Sequence, residues 1–113
     1  MIKILHNNRC SKSRCGLEIL ENSGQQYEIV KYLDTPPTAG ELAEIIALLG
    51  IAPLQLVRKN EAIWKEHFKG KELSNNEVIA AMVTYPKLIE RPIVINGKKA
   101  VIGRPPESIL DII

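Results

Sequence analysis

Cysteine is scarce in this chain. Cys10 and Cys15 stand alone, five positions apart, which is no basis for the several cross-links of a disulfide scaffold. Two histidines alongside them lack zinc-finger spacing, and no bound metal or cofactor is expected. No apolar stretch approaches the ~20 residues that span a bilayer, and the opening Met1-Ile2-Lys3-Ile4-Leu5-His6 is too short and too polar for a signal peptide. Neither charge dominates: 15 Lys and Arg against 13 Asp and Glu leave +2, too little to argue for direct nucleic-acid binding. The pattern Gly-x-x-x-x-Gly-Lys-Ser/Thr is missing, so ATP and GTP are not indicated. There is no repeat, low-complexity tract or convincing linker. The expectation is a cytoplasmic protein without membrane contact, its cysteines kept as thiols.

What is present is enough for one core, since 113 residues at 45% hydrophobic make about one ordinary domain. Ile2-Lys3-Ile4-Leu5 reads as a strand. Cys15, Gly16, Leu17, Ile19 and Leu20 then give an apolar helical stripe ending near Ser23-Gly24. Tyr27 to Tyr32 alternates like a second strand until Asp34-Thr35-Pro36-Pro37 breaks it. Thr38 with Glu41 forms a capping box before Leu42, Ile45, Ile46 and Leu49, with Gly50 at the C-terminal cap. A short helix can open at Pro53, another spans Asn60 towards Phe68, and Ser74 with Glu77 caps a third that Tyr85-Pro86 stops. Ile93-Val94-Ile95, Asn96-Gly97 and Ala100-Val101-Ile102 read as a hairpin whose turn length stays open. A last helix is expected from Pro105-Pro106. The order βαβ, helical block, ββα predicts one α/β domain over residues 1–113: a mixed sheet with flanking helices and a helical insertion over approximately 38–85.

Cys10 stands at the first strand-to-helix junction, a placement that points to thioredoxin-like chemistry. A helix N-terminus presents unpaired N–H groups and the positive dipole end, and both favour a thiolate. Lys3, Arg9, Lys12 and Arg14 precede the first carboxylate, Glu18, adding attraction for an anion. The plainer alternative is a small buried hydrophobe beside a solvated basic loop. Ser13 replaces the second Cys of a dithiol motif, and Gly16 stands where a phosphatase-type loop would carry Arg. Arginines holding an oxyanion would therefore come mainly from elsewhere. Cys15, one and a half turns further on, is expected to pack as a buried helix thiol too far from Cys10 for a disulfide; the alternative is a locally unwound helix that lets it resolve an oxidised Cys10.

"HNNRCSKSR", "LVRKN", "ERPIV" and "IGRPPE", in that order, resemble the glutaredoxin-linked arsenate reductase family over nearly the whole chain. The resemblance implies a thioredoxin-like fold and reduction of arsenate to arsenite through a covalent Cys–arsenic intermediate. Glutathione would be the thiol cosubstrate and glutaredoxin the partner, with the enzyme acting as a monomer. Carried over, Cys10 matches the nucleophile and Arg58, Arg91 and Arg104 the oxyanion-binding arginines. His6 matches a histidine that helps keep the thiol ionised, and Pro92 the cis-proline opposite the catalytic junction. Ser11 and Ser13 could donate to the thiolate, while Asn8 stands where many relatives have Pro. Arginine suits the task, because its forked donors pair bidentately with a tetrahedral anion and never lose charge. Two other readings stay open: a non-enzymatic transcription regulator binding RNA polymerase, and an oxyanion-binding thiol-redox protein of unknown substrate.

Overall fold

The computed structural model describes residues 2–113. They form two compact units: one holds the chain up to Thr35 together with Arg91–Ile113, the other Pro36–Glu90. No helix among the described residues is long and apolar enough to cross a membrane.

The first unit is built on a four-stranded sheet of order β2-β1-β3-β4, with β1 at Ile2–Leu5, β2 at Tyr27–Val30, β3 at Ile93–Asn96 and β4 at Lys99–Ile102. β1 pairs parallel with β2 and antiparallel with β3, and β3 pairs antiparallel with β4. This is the mixed sheet of a thioredoxin-like fold. Central β1 and β3 are the most apolar strands, and Ile4, Ile93 and Val94 are fully buried. β2 is an edge strand, so its Glu28 and Ile29 stay exposed and its alternation is only half used. It also ends sooner than its sequence suggests. The amide of Tyr32 donates back to the Val30 carbonyl at 3.0 Å, turning the chain and burying Tyr32 completely. Asn96 pairs with Lys99, which settles the hairpin loop at two residues. Gly97 takes its first position with φ +62°, a left-handed conformation open to glycine at little cost.

Helix α1, Ser11–Ser23, begins directly at Cys10, its N-cap. It buries Ser13, Gly16 and Leu20, residues that share one face at 3.6 per turn. Cys15 falls near the opposite side of that wheel and is exposed, so the expectation of a buried helix thiol is wrong. The broad apolar stripe concealed which half of α1 meets the sheet. Leu20 joins Ile2, Ile4, Val94 and Ile109 in the core, flanked by Leu17, Tyr27, Val101 and Ile112. The expected last helix is a 3-10 turn, Pro106–Asp111. Its three-residue period puts Pro106, Ile109 and Ile112 in line; the first two are buried and the third packs on the core.

The second unit holds α2 (Ala39–Leu49), α3 (Ala62–His67) and α4 (Asn75–Thr84), with 3-10 turns at Pro53–Leu56 and Pro86–Leu88. Both expected capping boxes are formed: Glu41 N–H donates to Thr38 Oγ1 at 3.1 Å and Glu77 N–H to Ser74 Oγ at 3.2 Å. Each glutamate reaches back to its cap residue's own amide. Reciprocal caps satisfy two otherwise unpaired donors apiece, and the turn after α2 closes at Gly50, φ +67°. The segment after the Pro53–Leu56 turn meets the end of the unit through an antiparallel bridge, Val57 to Ile89, flanked by Arg58 N–H to Leu88 O at 2.7 Å and Glu90 N–H to Leu56 O at 2.9 Å.

Candidate active site

The site grows from the β1–α1 junction. After Leu5 the chain turns through Asn7, whose carbonyl accepts the Cys10 N–H at 3.0 Å. Arg14 Nη1 donates to the Asn8 carbonyl at 3.0 Å, holding the loop from the helix side. Cys10 is only 9% exposed, and its extended backbone (φ −97°, ψ 123°) places it ahead of the unpaired N–H groups of α1. Burial by itself raises the thiol pKa. The Ser13 backbone N–H, the Arg91 guanidinium acting as donor and as charge, and the Lys12 backbone N–H together outweigh that, and the net direction is down from the ordinary 9.0. Those are the determinants of a reactive thiolate at a helix N-terminus.

Two arginines attend the sulfur. Arg104 Nη2 donates to Cys10 Sγ at 3.6 Å, and Arg104 Nε donates to the Arg91 carbonyl at 2.7 Å. One planar guanidinium thus spans from the nucleophile to the chain just before Pro92. For Arg91, burial opposes its charge, but the Cys10 thiol and then Tyr32 shift its pKa upward overall. Arg91 Nε is buried and has no hydrogen-bond partner among the described residues. Native structures leave few donors in that state, and such groups call for a functional account. Arg58 lies in the second unit, where its Nε meets Glu61 Oε1 at 3.4 Å and its Nη1 meets Glu90 Oε2 at 3.9 Å.

Pro92 is fully buried and follows a cis bond; Arg104–Pro105 is cis as well, a feature the sequence reading lacked. Two glycines make room for the Pro92 ring. A Cβ on Gly16 would lie 2.9 Å from Pro92 Cγ, and one on Gly103 would lie 2.8 Å from the same atom. Both distances are shorter than packed carbons tolerate, so β3, β4 and the first turns of α1 can close around Pro92 only with glycine at these positions.

His6 and Ser13 lie against each other below the loop. Ser13 is fully buried, and its Oγ lies 2.7 Å from His6 Nδ1 and accepts the Asn7 N–H at 3.0 Å. Burial, the largest influence, lowers the His6 pKa below the ordinary 6.5; Ser13 opposes this, while Arg14 and Lys31 reinforce it. A neutral imidazole satisfies all three groups if the Ser13 hydroxyl donates to Nδ1. Burial thus favours the neutral imidazole, and the serine hydroxyl is engaged by His6 and by the loop. What Ser13 offers Cys10 is its backbone N–H. Ser11 opens α1 and is exposed. Tyr32, set against Arg91, was missed. Its signal was its place just after β2, the parallel neighbour of the strand that leads to Cys10.

The arrangement is a buried, anion-favouring thiol with Arg91 and Arg104 as its cationic donors. The family model described as "ArsC family" matches residues 5–112. The chain belongs to the ArsC family. Among its relatives in that family, a Neisseria meningitidis serogroup B protein named arsenate reductase is 46% identical over 110 residues, covering 96% of this chain and 94% of its own. Escherichia coli (strain K12) YfgD, an uncharacterized protein, is 46% identical over 114 residues, covering 99% of this chain and 96% of its own. A solved structure, arsenate reductase from Vibrio cholerae, matches with a TM-score of 0.95 at 43% identity, covering 99% of this chain and 97% of that one. ArsC relatives thus share this chain from end to end, inserted unit included.

Proposed function

We propose that this chain is a cytoplasmic, monomeric arsenate reductase in which Cys10 is the nucleophile, glutathione the thiol cosubstrate and glutaredoxin the partner that regenerates the thiol. The observation that carries the reading is the lowered Cys10 thiol with Arg104 Nη2 at 3.6 Å and the Arg91 guanidinium beside it. Family membership and relatives named arsenate reductase support the choice of oxyanion.

The chemistry follows from those groups. Arsenate arrives as an anion, and the forked donors of Arg91 and Arg104 orient its oxygens. The Cys10 thiolate sulfur bonds to arsenic, one oxygen of the singly charged dihydrogen arsenate leaves as water carrying both arsenate protons, and the arginines hold charge on the remaining oxygens. A glutathione sulfur then bonds to the Cys10 sulfur. The sulfur–arsenic bond breaks with its electron pair going to arsenic, so As(V) becomes As(III) and leaves as arsenite. The Cys10–glutathione mixed disulfide that remains is reduced by glutaredoxin. Neutral His6 and Ser13 take no proton in these steps; they fix the loop that aims the Ser13 N–H at sulfur. Arg58 keeps its proposed oxyanion role on the strength of the "LVRKN" motif.

Arsenite formation with glutathione and glutaredoxin tests the proposal. Wild type should turn over with both present, Cys10→Ser should be inactive, and Cys15→Ser should keep most activity. Wild type that forms no arsenite with any thiol donor would remove arsenate as substrate.

A further inference from the structure

The C-terminal ends of the parallel strands β1 and β2 open onto a cleft of about 380 Å3, walled by Asn7 to Arg9 on one side and by Lys31, Leu33 and Asp34 on the other. Ligands of sheets with parallel strands bind beyond the carboxyl ends of those strands. This cleft shares its turn with the nucleophile, since Asn7, one of its walls, accepts the Cys10 N–H. Besides His6, its wall holds two basic side chains and one acidic one: Arg9, Lys31 and Asp34. Among the described residues none of the three forms a salt bridge, and each is exposed. The turn that carries Lys31 and Asp34 is fixed by the Asp34 N–H to Lys31 carbonyl bond at 3.0 Å.

Two cations and one carboxylate around a small polar cleft are the complement of a ligand with two carboxylates and one ammonium. An inorganic oxyanion does not fit that pattern, because Asp34 would repel it. Glutathione does: at neutral pH it carries the carboxylates of its glutamyl and glycyl ends, the glutamyl ammonium, and a central thiol. We propose that this cleft is the glutathione subsite, with Arg9 and Lys31 receiving the two carboxylates, Asp34 the ammonium, and the thiol set towards Cys10. The assignment rests on glutathione being the cosubstrate. It separates the two ligands of the reaction: arsenate on the arginine side of Cys10 and the peptide thiol on the β2 side.

The test uses the whole protein and S-methylglutathione, which keeps all three charges and cannot react. Its titration should shift the backbone amide resonances of Asn7 to Arg9 and of Lys31 to Asp34. Lys31→Glu and Asp34→Lys should each weaken that binding and raise the KM for glutathione by up to about fivefold, as expected for exposed charge pairs, leaving the KM for arsenate unchanged. With 2-mercaptoethanol as donor, which lacks the charges, neither substitution should matter. Lys31→Gln, milder at an exposed position, should show the same trend at smaller size. Shifts confined to other residues, or a KM for glutathione indifferent to all three variants, would overturn the subsite. S-methylglutathione binding here without any arsenate turnover would uphold the subsite while removing the reductase reading; turnover with an indifferent KM would do the reverse.

Discussion

Replacing Ser13 with Ala removes one oxygen from a fully buried position, and its expected cost can be worked from the partners it leaves behind. Ser13 Oγ serves His6 Nδ1 at 2.7 Å and the Asn7 N–H at 3.0 Å. His6 is 7% exposed, so its ring nitrogen would lose its Ser13 partner where water reaches poorly; a buried polar group left unpaired costs about 1–3 kcal/mol. Asn7 is half-buried, and water can partly replace the hydroxyl there, so its share is smaller, about 0.5–1 kcal/mol. The sum is about 1.5–4 kcal/mol, a sizeable part of the ~5–15 kcal/mol that holds an ordinary domain folded. Urea unfolding followed by circular dichroism measures it as a drop in midpoint at unchanged slope. The same change frees the loop that aims the Ser13 N–H at sulfur. In a Cys15→Ser background, the pH profile of Cys10 alkylation should therefore move up towards 9.0, the ordinary thiol value. A loss below about 0.5 kcal/mol, within the range of inert surface changes, together with an unmoved alkylation profile would refute the clamp.

Other expectations follow from neighbouring contacts. His6→Asn, which can offer an amide oxygen near the position of Nδ1, should retain more activity than His6→Ala; equal loss in the two variants would mean that a cationic ring is needed. Because the folded His6 pKa lies below 6.5, the unfolded chain binds more protons between that lowered value and 6.5. The His6 contribution to stability is therefore complete above about 6.5 and is lost as pH falls through the folded value, and His6→Asn should flatten the acid limb of a stability-versus-pH curve. Gly16→Ala should destabilise by roughly 1–2 kcal/mol, its contact with Pro92 at 2.9 Å exceeding the helix-propensity gain of about 1 kcal/mol. Gly40→Ala in α2, whose Cβ would meet only Thr38 Oγ1 at 4.0 Å, should stabilise by about 0.5–1 kcal/mol in the same urea assay. Arg104→Lys cannot bond Cys10 and the Arg91 carbonyl together, and should lower kcat/KM for arsenate about tenfold or more; unchanged kinetics would remove Arg104 from the site.

The parts of the fold written in neighbouring residues were legible beforehand. The capping boxes Thr38–Glu41 and Ser74–Glu77 need only a spacing of three, and the hairpin needs only Gly97 between alternating strands. What escaped depends on contacts distant in sequence. Cys15 lies on the outer side of α1 because Gly16, not Cys15, meets Pro92, 76 positions later. The last segment is a 3-10 turn because Ile109 and Ile112 reach one core together, which helical periodicity cannot announce. Near Cys10, the junction was readable from the strand-to-helix switch and its cations, and Arg91 and Arg104 from the family motifs. Which atom of Ser13 faces the thiol, and that Arg58 carries Glu61 and Glu90 as partners, required coordinates, since both turn on side-chain direction and not on composition.

The central claim is that one thiol, Cys10, carries arsenic and then glutathione. Peptide mass mapping after a single turnover with arsenate and glutathione, quenched in acid with glutaredoxin left out, measures this directly. The account predicts one glutathione bound to Cys10, none on exposed Cys15, and one arsenite released per modified chain. Glutathione on Cys15, a Cys10–Cys15 disulfide, or arsenite released with Cys10 unmodified would contradict it.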